Sequence, residues 1–137
     1  MDKHERIYAL ANDFSSCTKI LTAIGDETRQ HIILELMRHG DCSGVRVGDI
    51  SEKTNLSRPA VSHHLQIMKD AGILKVRKEG TKNYYYFDPE MESLERLIST
   101  LRSAMEISKA LPDRSGKAEY ARSNGYYVIN QQSEVEL

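Results

Sequence analysis

The sequence has little of what marks several large classes of protein. Its two cysteines, Cys17 and Cys42, are too few for the disulfide framework of a small secreted domain. No run of about 18 apolar residues could span a membrane, and the N-terminus has no signal-peptide pattern. We therefore expect a cytoplasmic protein with no membrane partner. The formal net charge of -1 argues against a protein that holds nucleic acid by bulk charge alone.

Signs of enzymatic chemistry are missing as well. No nucleophile, base and orienting group recur in a recognisable arrangement, and no glycine-rich phosphate loop is present. We expect no enzymatic activity and no cofactor. The chain has 137 residues, of which 39% are hydrophobic and 28% charged, and this is enough for one globular domain.

The most informative segment begins with a predicted helix. Ser57 is a favourable N-cap and Pro59 lies in the first turn, so the helix should start there. The apolar residues that recur at helical spacing and would face a core are Val61, Leu65 and Met68. The opposite face is short, polar and rich in hydrogen-bond donors. Such a face suits the floor of a DNA major groove.

The neighbouring residues predict the rest of a helix-turn-helix. Val47 to Thr54 should form a first, shorter helix, followed by a tight turn at Asn55. Gly72 is placed to end the second helix in a left-handed conformation. Upstream, Asp26 should cap a further helix over about Thr28 to His39.

A basic hairpin, or wing, is predicted after the second helix. Ile73 to Lys78 and Asn83 to Phe87 are rich in branched and aromatic residues, and Glu79 to Lys82 supplies the turn. Between residues 56 and 87 there are six basic residues and two acidic ones. The positive charge is therefore concentrated in one segment of a nearly neutral chain. Winged helices that bind only protein usually need no basic wing, so this feature favours DNA.

The side chains predicted to contact DNA lie on the outer helix face and near the hairpin tip. They are Ser57, Arg58, Ser62, His63, Gln66, Lys69, Arg77, Lys78 and Lys82. Each one could instead be a solvated surface group, and their grouping favours DNA contact. By helical phase His64 lies closer to the core than His63, so we predict a structural, hydrogen-bonded role for His64.

Two apolar stripes flank the predicted DNA-binding segment. The first comprises Ile7, Leu10, Ala11, Phe14, Cys17, Ile20, Leu21 and Ile24, and the second comprises Met91, Leu94, Ile98, Leu101 and Met105. A small winged domain offers too little core to cover both. We expect a second subunit to cover them, and packing within one chain is the alternative.

Several motifs, in the right order, resemble the ArsR family of bacterial winged-helix regulators. They are GDETR at residues 25–29, AVSHHL at 60–65, DAGIL at 70–74 and the EG...YYYF wing, and the resemblance covers about residues 5–108. It implies a mainly α fold with a small β-hairpin wing (α+β), a winged helix-turn-helix that dimerises through its N- and C-terminal helices. It also implies a homodimeric repressor on double-stranded operator DNA, with the helix from Arg58 to Asp70 in the major groove. Members of the family release DNA when an inducer binds, and the inducer is often a metal ion.

The metal ligands of the family are replaced in this chain. One family site uses Cys-x-Cys just before an Asp-Leu pair, and here those positions hold Arg46 and Gly48. Another site uses Asp-x-His and then His-x-x-Glu on the last helix. Aligned on the tyrosines of the wing, its four positions hold Pro89, Met91, Arg102 and Met105. No histidine follows His64, so a shifted alignment does not restore the site. We predict no metal site of either kind.

Other sensing groups leave several alternatives open. An exchange between the Cys17 and Cys42 thiols could act as a redox switch, although a cysteine on an apolar stripe behaves as a small hydrophobic residue. His31 and His39 could bind a metal or simply be solvated. A protein-interaction module and a redox- or small-molecule-responsive regulator therefore remain alternatives to a repressor, and the inducer stays open.

The C-terminal residues differ in composition from the rest. The segment 112–137 opens with Pro, Asp, Ser and Gly and shows no sustained periodicity, apart from a short strand-like run at residues 126–129. We predict a DNA-binding and dimerisation domain at residues 1–111 and an extension of unknown role at 112–137.

Overall fold

The computed structural model shows a winged helix-turn-helix. It describes residues 1–39 and 43–111, and within them there are six helices and one β-hairpin. The helices are α1 (Lys3–Ser16), α2 (Thr18–Ile24), α3 (Glu27–His39), α4 (Val47–Thr54), α5 (Arg58–Asp70) and α6 (Met91–Lys109). The strands β1 (Leu74–Glu79) and β2 (Lys82–Phe87) lie between α5 and α6. The predicted fold class, mainly α with a small wing, is confirmed.

The chain divides into two compact units. Met1–Ala104 is the first and Met105–Leu137 is the second. The first unit contains the core and every candidate DNA contact. Of the second, the structure describes residues 105–111, which include the end of α6. The extension 112–137, with its strand-like run, lies outside the described residues, so the predicted domain boundary stays a prediction.

Local signals start and stop the central helices as predicted. The Asp26 carboxylate accepts a hydrogen bond of 3.0 Å from a backbone N–H in the first turn of α3, and the Ser57 hydroxyl accepts one of 3.2 Å in α5. Helix α4 ends at Asn55, which adopts a left-handed φ of 60°. Gly72, just after α5, has a φ of +77°, and a Cβ there would lie 2.8 Å from the Glu90 carboxyl group. These caps fix the lengths of the helices that carry the site.

The N-terminal apolar stripe is divided between two helices, because α1 ends at Ser16 and α2 begins at Thr18. On the α2 side, Cys17, Ile20 and Ala23 are buried in the core. In α1, by contrast, no residue is buried. The first helix therefore contributes little to the core of its own chain.

The core lies where α2 to α6 meet the hairpin. The predicted inward positions of α5, which are Val61, Leu65 and Met68, are each 0% exposed, so that prediction is confirmed. They pack in one cluster with Ile32 and Leu36 of α3, as well as with side chains of α4, β1 and α6. Burial of these apolar side chains, each favourable by about 1.5–3 kcal/mol, fixes the rotation of α5 and so turns its polar face outward.

The hairpin is tighter than the sequence predicts. The two strands pair antiparallel, and Glu79 pairs with Lys82, so that each strand extends one residue further toward the tip. Gly80 and Thr81 form the two-residue turn, and Gly80 supplies its positive φ of 65°. A further antiparallel bridge joins Tyr85 to Val45. Within the described residues, no helix is long and apolar enough to cross a membrane.

Candidate nucleic-acid interface

Helix α5 presents a polar face on the side opposite the core. The side chains predicted to contact DNA on this helix are all exposed, namely Ser57, Arg58, Ser62, His63, Gln66 and Lys69. Helix α4 precedes it after a connection of three residues, 55–57. The two helices therefore form the motif whose second helix enters a major groove.

The exposed groups divide between the two ends of α5. Arg58 lies at the N-terminal end beside α4, where a Cβ on Gly48 would come within 2.8 Å of its guanidinium. Lys69 lies at the other end and lines a cavity of about 220 Å³ with side chains of α2 and α6. Helices of this motif contact base edges mainly through their N-terminal residues. Arg58 and Ser62 are therefore better placed for bases than Lys69.

Gln66 is already hydrogen-bonded within its own helix. Its Nε2 donates to Oδ1 of Asp70 at 2.8 Å. A bidentate contact to adenine would use the Oε1 acceptor and one N–H of Nε2, and the second N–H could keep the bond to Asp70. His63 lies one turn earlier and is exposed.

The predicted wing contacts are of two kinds. Lys78 and Lys82 are exposed, and neither forms an ion pair within the part of the chain that the structure describes. Arg77 pairs with Tyr84, and this is the third residue pair counted from the turn. Arg77 therefore lies further from the tip than predicted. Its Nη2 donates to the backbone carbonyl oxygen of Ser43 at 2.6 Å. Arg77 is therefore held along the strand, while the two lysines project freely.

A buried arginine joins α3 to α5. Arg29 is 9% exposed and donates to the carbonyl oxygens of Thr22 and Ala23, each at 2.9 Å. Its Nη1 lies 3.1 Å from Nδ1 of His64. Because a guanidinium has only donors, Nδ1 must accept, which places the proton of a neutral ring on Nε2. The structural role predicted for His64 is confirmed. No local sequence pattern marks Arg29 as buried beyond its place in GDETR.

This cluster lowers two pKa values. Burial and the neighbouring Arg29 charge lower the pKa of His64 below its ordinary 6.5, although Asp26 opposes them. The backbone N–H of Arg29 lowers the pKa of the Asp26 carboxyl below 3.8. At neutral pH, His64 is therefore uncharged and Asp26 is ionised.

The lowered pKa of His64 predicts a pH dependence of stability. The unfolded chain takes up a proton near pH 6.5 and the folded chain only at lower pH, so the contribution is fully present above 6.5 and is lost as pH falls below it. Denaturant unfolding at pH 7.5 and at about pH 5.5 should show this loss. The His64→Gln variant should show a smaller loss, while the exposed His63→Gln variant should behave as wild type. An equal loss in all three proteins would exclude His64 as its source.

The candidate sensing residues that the structure describes are Cys17, His31 and His39. Within residues 1–39 and 43–111, no group of three or more His, Cys, Asp or Glu side chains is placed to hold a metal ion. Cys17 is 2% exposed, and its Sγ lies 3.6 Å from Oγ1 of Thr100. His31 and His39 are exposed on α3. Cys42 lies outside the described residues, so the proposed thiol pair is not tested.

Comparison with known proteins identifies the family. The model of the bacterial regulatory protein arsR family matches residues 26–76, which include α3, α4, α5 and the start of β1. An HTH-type transcriptional regulator of Methanocaldococcus jannaschii is 37% identical over 64% of this chain and 97% of its own length. The transcriptional repressor SdpR of Bacillus subtilis is 41% identical over 48% of this chain and 69% of its own length.

A solved structure shows the same fold. The ArsR-like transcriptional regulator from Rhodococcus sp. RHA1 aligns with 82% of this chain and 96% of its own, with a TM-score of 0.59 and 22% identity. At that identity the match supports the architecture alone. The family is shown by the family model and the two sequence relatives. The chain belongs to the ArsR family of winged-helix, DNA-binding transcriptional regulators.

Proposed function

We propose that this chain is a homodimeric, cytoplasmic repressor that binds an inverted-repeat operator and has no enzymatic activity. The main support for the proposal is the N-terminal half of α5, which is polar and exposes Arg58 and Ser62. The wing that follows it exposes Lys78 and Lys82. Helix donors match the acceptors of guanine and adenine in the major groove, and wing cations match phosphates.

The outer helices support a dimer. In α1, Ile7 is 43% and Phe14 37% exposed. In α6, Met91 is 61%, Ile98 51% and Leu101 46% exposed. Apolar side chains at helical spacing, left uncovered in one chain, are typical of an interface between subunits. A twofold axis through such an interface would place the α5 helix of the second subunit at a second half-site.

Footprinting tests the operator geometry. We expect the full chain to protect an inverted repeat in the DNA upstream of its own gene, with half-site centres about 10 base pairs apart or a multiple of that spacing. Affinity should fall steeply with salt, since each neutralised phosphate adds about -0.9 to the slope of log K against log salt. Full-affinity binding of a monomer to one unsymmetric half-site would overturn the proposal.

Single substitutions should separate base contacts from phosphate contacts. Arg58→Ala or Ser62→Ala should lower the preference for operator over random DNA, and loss of one base contact should cost about 1–3 kcal/mol. Lys78→Ala should weaken binding to both DNAs and reduce the salt slope by about one unit. The three variants are compared by competition gel shift at several salt concentrations. Equal weakening of both DNAs by all three would contradict these assignments.

Release by metal through the two family sites is not expected. Arg46 and Arg102 place fixed positive charges where a thiolate and a histidine would bind a cation. Zinc, cadmium or arsenite, added to the protein–operator complex under reducing conditions, should leave it intact. Stoichiometric binding at submicromolar affinity that releases DNA, and that disappears in Cys17→Ser or Cys42→Ser, would reveal a different site. Without such a response, three alternatives remain: an organic inducer, thiol oxidation, or control by protein abundance alone.

A further inference from the structure

Tyr84 brings two arginines together where the helix-turn-helix meets the wing. The centroid of its ring lies 4.4 Å from the guanidinium carbon of Arg77 and 5.6 Å from that of Arg46. Arg46 is the N-cap residue of α4, whereas Arg77 and Tyr84 pair across the hairpin. The arginine–tyrosine stack, formed by Arg46, Tyr84 and Arg77, therefore links the first helix of the motif to the wing.

The two arginines of the stack differ in how their charges are satisfied. Arg77 donates to the backbone carbonyl oxygen of Ser43 at 2.6 Å and lies 3.5 Å from the Glu79 carboxylate. Arg46 is exposed and has neither a hydrogen bond nor an ion pair from its side chain within residues 1–39 and 43–111. A guanidinium has five N–H donors, and the aromatic ring occupies none of them in a strong hydrogen bond. The Arg46 charge is thus available to an external anion.

The surroundings of Arg46 indicate which anion fits. Arg46 and Arg58 line one open cavity of about 540 Å³, so Arg46 faces the same side of the molecule as the start of α5. The carboxylates of Asp49 and Glu52 line that cavity too, and it is therefore not a basic pocket for a free small anion. A phosphate of a duplex held by α5 and the wing would instead meet Arg46 at the rim.

Electrostatics within the stack favour a polyanion. The guanidinium groups of Arg46 and Arg77 lie within about 10 Å of each other, which is about one Debye length at 0.1 M salt. The Glu79 carboxylate already balances part of the Arg77 charge, so the positive charge open to a polyanion is mainly that of Arg46. The Tyr84 ring also restricts the long Arg46 side chain before binding, and this lowers the entropy lost when DNA binds.

We propose that Arg46 contacts the phosphate backbone of the operator and that Tyr84 is the residue that positions it. This inference rests on the proposed function. It adds to the predicted DNA contacts Arg46, which otherwise stands only at the position of a family metal ligand. Tyr84 acts through Arg46 and does not itself need to touch DNA.

The test measures affinity of the full chain for operator and random duplexes across a range of salt concentrations. Arg46→Gln should weaken binding to both DNAs by about 5- to 20-fold and lower the salt slope by about 0.9. Lys53→Gln is the matched control, because it removes one exposed positive charge from the last turn of α4. The Lys53→Gln variant should leave the DNA affinity and the salt slope unchanged.

Two further variants test the ring. Tyr84→Leu keeps every charge but removes the cation–π contacts, so affinity should fall by about 2- to 5-fold. Tyr84→Phe keeps the aromatic face and should bind DNA with wild-type affinity. A circular-dichroism melt of each variant confirms the fold. If a folded Tyr84→Phe weakens binding as much as Tyr84→Leu, the ring is not the positioning element.

The outcomes separate this inference from the proposed function. If the wild type prefers its operator but Arg46→Gln keeps the full salt slope, Arg46 is not a phosphate contact and the inference fails alone. If the wild type shows neither preference nor salt dependence, the proposed function fails with it.

Discussion

Replacement of Ile98 by glutamate (Ile98→Glu) is expected to give a folded monomer whose operator affinity is lower by about 100-fold or more. Ile98 is 51% exposed in the single chain, so the substitution removes little from the core. In a dimer, the same side chain would be buried with Met91 and Leu101, and an unpaired carboxylate there would be costly. A monomer holds one half-site and loses the second, tethered contact, which is commonly worth 10²- to 10⁴-fold.

Sedimentation and gel shift check this expectation together. Ser99→Glu is the control, because it adds the same charge at the next residue of α6, which is also exposed but belongs to neither predicted apolar stripe. That variant should remain dimeric and bind with wild-type affinity. A dimeric Ile98→Glu protein with full affinity would show that α6 does not form the interface.

Loss of the Arg29 side chain is expected to destabilise the fold by about 3 kcal/mol. The Arg29→Met variant retains the apolar stem but leaves the carbonyl oxygens of Thr22 and Ala23 and Nδ1 of His64 without their donors. An unsatisfied buried acceptor costs about 1–3 kcal/mol, and partial relaxation reduces the total. The thermal midpoint should fall by more than about 10 °C.

A second variant on the same helix controls for the loss of charge. Arg38 is exposed on α3 and pairs with Glu35. Arg38→Met should change stability by less than about 0.5 kcal/mol, because exposed pairs of this kind contribute little. Arg29→Lys should remain strongly destabilised, since an ammonium cannot reach all three acceptors in the same geometry. Wild-type stability of Arg29→Met would contradict the structural role of this cluster.

The parts of the fold that sequence predicts are those fixed by local chemistry. Ser57 and Pro59 mark the start of α5, and Gly72 marks its end, because caps depend on a few neighbouring residues. The hairpin is predicted from branched and aromatic residues around a glycine turn. The predicted turn is longer than the observed one by one residue on each strand, because the final pair of Glu79 and Lys82 depends on register as well as on residue type.

The parts that sequence does not predict depend on distant partners. Arg29 meets His64 across 35 positions of the chain, so no local pattern reveals its burial. The phase of α6 was also ambiguous: Leu97 and Thr100 face the core, whereas the predicted stripe through Ile98 and Leu101 is exposed. An apolar stripe shows which residues share a helix face, but not whether that face meets its own domain or another subunit.

Selection of bound sequences from random duplex DNA shows whether α5 reads base sequence. The full wild-type chain should enrich one inverted repeat, and Arg58→Ala and Ser62→Ala should show sharply lower enrichment at particular base pairs. Lys78→Ala should enrich the same sequence as wild type, although with weaker binding throughout. If the wild type enriches no sequence, or if Arg58→Ala and Ser62→Ala select the same repeat with unchanged discrimination at every position, then α5 does not read bases.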